Sequence, residues 1–243
     1  MFRFKVELKN IFIKFEKFVN FKTKNNTQIV SKMCIEKAYD IWAKQYDTNN
    51  NRTRDLDIKA TKETLSKYSF NSVLELGCGT GKNTKWLLTK ARYVLGIDFS
   101  KEMLKIAEEK INNETVEFKK ADINKKWEIE NKTFDLITSS LTLEHIRNLN
   151  HIFKQAHTQL KDNGLFFLSE LHPFKQYTGT KAQYETINGT KELEVYTHHT
   201  SEYIKCAKKN GFKIVEINEW FDDITKKTIP RLITIVFKKN RNV

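Results

Sequence analysis

An α/β fold built on an open, mostly parallel sheet with helices on both faces is predicted by three features of the chain. Beyond residue 70, short β-branched and apolar runs alternate with segments of helical periodicity, a pattern that calls for crossover connections. The first of these runs ends in a glycine-rich turn, VLELGCGTGKNT (73–84). The chain has 243 residues, 39% hydrophobic and 12% aromatic, which suffices for one large core of this kind.

The elements follow in order. Residues 1–32 stand apart as a basic, Phe-rich arm whose apolar positions, among them Phe4, Leu8, Ile11 and Phe15, fall on one helical face. Three readings of the arm stay open: a helix appended to the domain, a surface-binding or targeting segment, or a stretch upstream of a start at Met33. The domain proper is expected over 33–243. Helices are expected over 36–47 and 54–68, then strand 72–77, helix 82–90, strand 93–98, helix 101–111 and strand 116–119. Strand 134–139, helix 148–160 and strand 164–170 come next, the last preceded by the turn signal Asp162-Asn163-Gly164. The pattern then changes. Residues 172–199 read as an insertion on the acceptor side. Within it, 183–187 and 190–196 flank Asn188-Gly189, a strong hairpin signal because both central residues must take positive φ. Helix 201–209 and strands 212–219 and 231–238 finish the chain. With no helix between them, the last two strands should run antiparallel.

Charge and cysteines narrow the function classes. The net charge is +13. Residues 1–32 hold eight basic side chains against Glu7 and Glu16, so +6 of it lies in the arm and the rest is spread over helix surfaces. Solvated basic faces account for that, and nucleic acid is not an expected partner. Cys34, Cys78 and Cys206 form no CxxC motif and leave an odd count, which fits a reducing, cytoplasmic setting. No apolar run approaches membrane-spanning length.

The glycine turn carries the chemistry. A dinucleotide fingerprint needs G-x-G-x-x-G, but the glycines fall at 77, 79 and 81 and position 82 is Lys. A triphosphate loop needs G-x-x-x-x-G-K-[ST], yet Leu76 stands five residues before Gly81 and Asn83 follows Lys82. The spacing G-x-G-x-G after Glu75 suits a nucleoside with a zwitterionic tail. The carboxylate can answer an ammonium, and N–H groups opening the next helix can answer a carboxylate. Here the sequence resembles the class I S-adenosylmethionine-dependent methyltransferases, from about Tyr39 to Phe237. Further matches are VLGIDFS (94–100), KKADIN (119–124), FDLITSSLTLEHI (134–146) and AYDIWAKQYD (38–47).

That resemblance implies a Rossmann-like, seven-stranded, mostly parallel sheet with an inserted hairpin lid, and S-adenosyl-L-methionine as cofactor. It implies a turn formed by Glu75, Gly77, Cys78, Gly79, Thr80 and Gly81, and a ribose held by Asp98, with Phe99, Ser100 and Met103 lining the nucleoside. Asp122 and Ile123 would meet adenine, Ser139 and Ser140 would lie beneath the methionine part, and Tyr39 and Tyr46 would cap the pocket. SELHPF (169–174) and PRLITIVFKK (230–239) are similar to small-molecule methyltransferases of the broad Methyltransf_11/25-like group.

Methyl transfer from a sulfonium needs a positioned nucleophile and, for a hydroxyl, a base. His145, His172 and His199 are the candidate catalytic residues. Ubiquinone-type O-methyltransferases have a Glu-His pair like the one at His145, with a further acid three residues before the Glu. Leu141 occupies that place here, so no metal is expected. Phe174, Tyr177, Tyr184 and Tyr196 are candidate contacts to a small, partly apolar acceptor. The expected activity is methylation of oxygen or nitrogen on a small-molecule or carrier-bound acceptor. An RNA or protein methyltransferase and a non-catalytic cofactor-binding protein stand as alternatives.

Overall fold

The structure is a computed structural model that describes residues 35–129, 132–186, 189–223, 225 and 228–240, without the side chains of 183–186, 190 and 191. The arm over 1–32 lies outside the described residues.

Two helices open the domain: α1 (Ile35–Tyr46), and α2 (Arg52–Leu65), capped by Asn51, whose side chain accepts from the Arg54 N–H. Strand β1 (Ser72–Leu76), the short helix α3 (Thr84–Leu87), β2 (Tyr93–Asp98), α4 (Lys101–Lys110) and β3 (Val116–Lys120) form the first half. The second half runs β4 (Phe134–Ser140), a 3₁₀ turn (Leu143–His145), α5 (Leu149–Gln159), β5 (Leu160–Leu171), α6 (Pro173–Tyr177) and the hairpin β6 (Gln183–Thr186) and β7 (Gly189–Glu192). Helix α7 (Thr200–Lys209), β8 (Phe212–Trp220) and β9 (Leu232–Lys239) close it.

The seven strands order as β3-β2-β1-β4-β5-β9-β8, while β6 and β7 pair as a separate sheet. Strands β3, β2, β1, β4 and β5 are parallel, and β9 runs antiparallel to both β5 and β8. The expected antiparallel closing pair is therefore present, with β9 inserted between β5 and β8.

Alternation along the central strands explains why the middle of the sheet is buried on both faces. Leu74, Leu76, Ile137, Phe166 and Phe237 point into one core with Ile152 and Phe153 of α5 and Tyr203 of α7. Their neighbours Val73, Leu136, Phe167 and Val236 point the other way, against Leu65 and Leu87. Each buried Phe or Leu contributes about 1.5–3 kcal/mol.

Two local departures from the sequence reading have clear causes. The expected helix over 82–90 shrinks to Thr84–Leu87. Trp86, Thr89 and Lys90 donate three residues back, to Asn83, Trp86 and Leu87, which tightens the segment into successive turns. Helix α6 was not foreseen: Pro173 occupies its first turn, and the His172 ring Nδ1 accepts from the Phe174 N–H.

Candidate functional site

Five parallel strands deliver their carboxyl ends to one edge of the sheet, where open α/β sheets place their ligands. Strand β1 runs into the glycine turn, with φ of +65° at Gly77, +54° at Gly79 and +78° at Gly81. The Gly77 and Cys78 N–H groups donate to the Ile97 carbonyl and fasten the turn to β2.

Glu75 is buried, and its Oε2 accepts from the Thr84 hydroxyl at 2.5 Å. Asp98 ends β2, with Oδ2 accepting from the Gly79 N–H at 2.9 Å and Oδ1 from the Ser100 N–H at 2.8 Å. Neither carboxylate has an ion-pair partner among the described residues. Burial raises their pKa values, Glu75 to about 8 and Asp98 to about 6. The Ser100 hydroxyl donates to Asp40 at 2.6 Å and accepts from the Met103 N–H, so α1 is tied to the start of α4. Met103 is buried beneath that cap, and the Thr80 hydroxyl donates to Asp47 at 2.8 Å.

The Tyr39 ring stands 5.7 Å from Phe99, 6.4 Å from Tyr46 and 5.5 Å from His145, so α1 does present both tyrosines on one face. The Tyr39 hydroxyl lies 2.8 Å from His145 Nε2. His145 Nδ1 is 3.0 Å from the Glu194 carbonyl, which can only accept. In the neutral imidazole Nε2 is then the acceptor and Tyr39 the donor. Burial lowers the His145 pKa and raises that of Tyr39.

The remaining candidates are spread more widely. Asp122 accepts from the Asn124 N–H in the turn after β3, and Ile123 beside it is buried. The Ser139 Oγ is buried with no partner among the described residues, and Ser140 ends β4 one residue on. His172 has both ring nitrogens engaged, Nδ1 by the Phe174 N–H and Nε2 by Glu219 at 3.1 Å. His199 caps α7, and its Nδ1 meets the Tyr177 hydroxyl. Phe174 and Tyr177 are 55% and 56% exposed, so they turn outward. The Tyr196 N–H donates to the Glu144 carbonyl, and the Tyr184 side chain lies outside the described residues.

A cavity of about 460 Å³ opens beside this cluster and shares Tyr39 and Tyr46 with it. Tyr39, Trp42, Tyr46, Leu141 and Leu171 supply apolar and aromatic wall, while Thr180, Lys181 and Ala182 approach from the stretch before the hairpin. Leu141 takes φ +52° directly after β4, a strained conformation for a branched side chain.

Two lining residues escaped the sequence reading. Arg54 is 5% exposed; its Nη2 donates to the Asn49 carbonyl, while Nε and Nη1 have no partner among the described residues. Its guanidinium sits 4.2 Å over the Tyr46 ring. Glu144, in the 3₁₀ turn after β4, is buried, and burial raises its pKa to about 7.

The fold and the glycine turn resemble those of the class I S-adenosylmethionine-dependent methyltransferases. Residues 74–168, from β1 to β5, match the family described as "Methyltransferase domain". It is 28% identical over 146 residues to a malonyl-[acyl-carrier protein] O-methyltransferase of Bacillus anthracis, covering 58% of this chain and 54% of that one. Against a ubiquinone biosynthesis O-methyltransferase of Pelagibacter ubique it is 25% identical, covering 69% and 71%. Among solved structures, a Listeria monocytogenes protein assigned by inference to the S-adenosylmethionine-dependent methyltransferases superposes with a TM-score of 0.66. That match has 25% identity and covers 77% of this chain and 100% of that one.

Proposed function

We propose that this protein transfers the methyl group of S-adenosylmethionine to an oxygen or nitrogen of a small-molecule or carrier-bound acceptor seated in the 460 Å³ cavity. The observation that carries the reading is the pair of buried carboxylates, Glu75 and Asp98, held at the glycine turn without an ion-pair partner among the described residues. A ligand with a sulfonium and an ammonium at one end and ribose hydroxyls in the middle complements them.

In this reading Asp98 takes the ribose hydroxyls. The backbone donors on its oxygens fix its orientation and leave further lone pairs free. Phe99, Ser100 and Met103 border the nucleoside, and Asp122 with the Ile123 N–H meets the adenine edge. Glu75 and the open turn at Gly79 border the methionine part, with Cys78, Thr80, Gly81, Ser139 and Ser140 around it. Arg54, with two buried guanidinium nitrogens unpartnered among the described residues, answers the tail carboxylate more strongly than backbone N–H groups alone. Tyr39 and Tyr46 close the pocket and divide it from the acceptor. His145 holds the Tyr39 hydroxyl in place, while His172 and His199 support the acceptor side by ordering α6 and α7. When bound, the cofactor supplies an electrophilic methyl on a good leaving group, so the protein chiefly aligns the acceptor.

Titration calorimetry tests the reading. Asp98→Ala should weaken S-adenosylmethionine binding by about 1–3 kcal/mol through lost charge-assisted hydrogen bonds. Equal affinity would remove Asp98 from the ribose site. A wild type that binds NAD or ATP but not S-adenosylmethionine would overturn the whole reading.

A further inference from the structure

The acceptor cavity supports a step that rests on the reading above. We infer that Glu144 is the general base of the reaction, and that the acceptor is a flat aromatic compound methylated on a phenolic or enolic hydroxyl.

Geometry comes first. Glu144 lines the cavity together with Tyr39 and Leu141 and is only 8% exposed. Its Oε2 receives the Gln176 side-chain N–H at 3.5 Å, the outer limit of a hydrogen bond, and Oε1 has no protein donor among the described residues. A buried carboxylate with an oxygen to spare is therefore aimed at a cavity whose other walls include Tyr39, Trp42 and Tyr46. Those rings fit a planar guest.

The electrostatics agree. Facing Glu144 are Gln176 of α6, Tyr39 of α1, Tyr203 of α7 and Glu170 of β5, none of them a cation. Arg52, Arg54, Lys181 and Arg231 also line the cavity. Of these, Arg231 is paired with Asp222 and Lys181 with Glu192. Burial thus holds Glu144 near a pKa of about 7, where a base works best at neutral pH.

The chemistry then selects the acceptor. A carboxylic acid is already ionised at pH 7, and a neutral amine already offers its lone pair. A phenol, ionising near pH ~10, needs its proton removed as it attacks. Glu144 accepts that proton, the phenolic oxygen forms the new O–CH₃ bond, and the C–S bond breaks with its electron pair going to sulfur. The sulfonium becomes a thioether, and Glu144 later releases the proton to solvent.

The test pairs spectroscopy with kinetics. Infrared difference spectra between about pH 5.5 and 9 should show a carboxyl group titrating near 7 in the wild type and missing in Glu144→Gln. With catechol and 4-hydroxybenzoate as probe acceptors, Glu144→Gln should lower kcat by about 10²–10⁴-fold and flatten the rising limb of the pH profile. Its S-adenosylmethionine affinity should stay within about twofold of wild type, which separates lost base catalysis from misfolding. An unchanged kcat, a missing titration, or a donor-binding wild type that methylates neither phenol would overturn the proposal and leave the cofactor reading standing. A wild type that binds no donor would remove both.

Discussion

At the residue scale, two glycines of one turn have different reasons to be glycine, and substitution separates them. A Cβ on Gly77 would lie 2.3 Å from the Thr142 hydroxyl and 2.6 Å from its methyl. That hydroxyl donates to the Ser140 carbonyl at 2.9 Å, so Thr142 cannot step aside without losing a bond beneath β4. A Cβ on Gly79 would meet nothing within 4 Å, because the residue faces the open groove. Both also sit at positive φ, which costs a side chain about 1–2 kcal/mol. Gly79→Ala should therefore lower Tm by only about 2–8 °C while sharply reducing S-adenosylmethionine binding, since the new methyl enters ligand space. Gly77→Ala should lower Tm further, with Thr142→Ala in the same chain restoring part of it. Thermal scans with and without cofactor check both. Full cofactor affinity in a folded Gly79→Ala would show that the groove at Gly79 is not ligand space.

At the element scale, helix α2 brings Arg54 to the cavity, and its start depends on one cap. The Asn51 side chain accepts from the Arg54 N–H at 3.0 Å and holds the first turn in register. Asn51→Ala should cost about 1 kcal/mol of stability and, by fraying that turn, weaken S-adenosylmethionine binding; Asn51→Asp keeps the cap and should restore both. An Ala variant of lower Tm with unaltered affinity would break the link between α2 and the cofactor. The same helix shows what the sequence could not tell. The strands, the glycine turn and Asp98 were legible because their signals are local: a run of apolar residues, a spacing of glycines, an acid closing a strand. Arg54 and Glu144 were not. In a basic chain nothing nearby marks one arginine as buried, and Glu144 stood beside a histidine whose ordinary pKa drew attention first. Arg54 is buried against the Trp42 and Tyr46 rings of α1, and Glu144 beside Gln176 of α6 and Tyr39 of α1, contacts that only the fold brings together. Helix α6 was missed for a related reason: five residues carry too little periodicity to read.

At the scale of the whole molecule, a domain whose buried carboxylates have no ion-pair partner among the described residues should be tuned by pH and by its ligand together. Burial raises the pKa of Asp57 and Asp98 to about 6, Glu144 to about 7 and Glu75 to about 8 in the folded chain. In the unfolded chain these groups titrate near 4. Between the two values the folded state binds more protons, so its stability falls as pH rises. Histidines work in the opposite sense. Burial lowers the pKa values of His145, His157 and His172, so their cost to the fold lies at low pH and is gone above about 6.5. Above that pH the carboxylates act without this opposition, with Glu144 and Glu75 still titrating. The cofactor-free protein should therefore lose stability steadily from about pH 6.5 to 8.5. A sulfonium and an ammonium placed beside Glu75 and Asp98 favour their ionised forms, so donor binding should expel protons and recover part of the loss. Calorimetry at pH 7 in buffers of different ionisation enthalpy reads that release directly. The apparent binding enthalpy should vary with buffer in wild type, and less in Glu75→Gln. A buffer-independent enthalpy, with cofactor-free stability flat across that window, would mean these carboxylates are already ionised and compensated before any cofactor arrives.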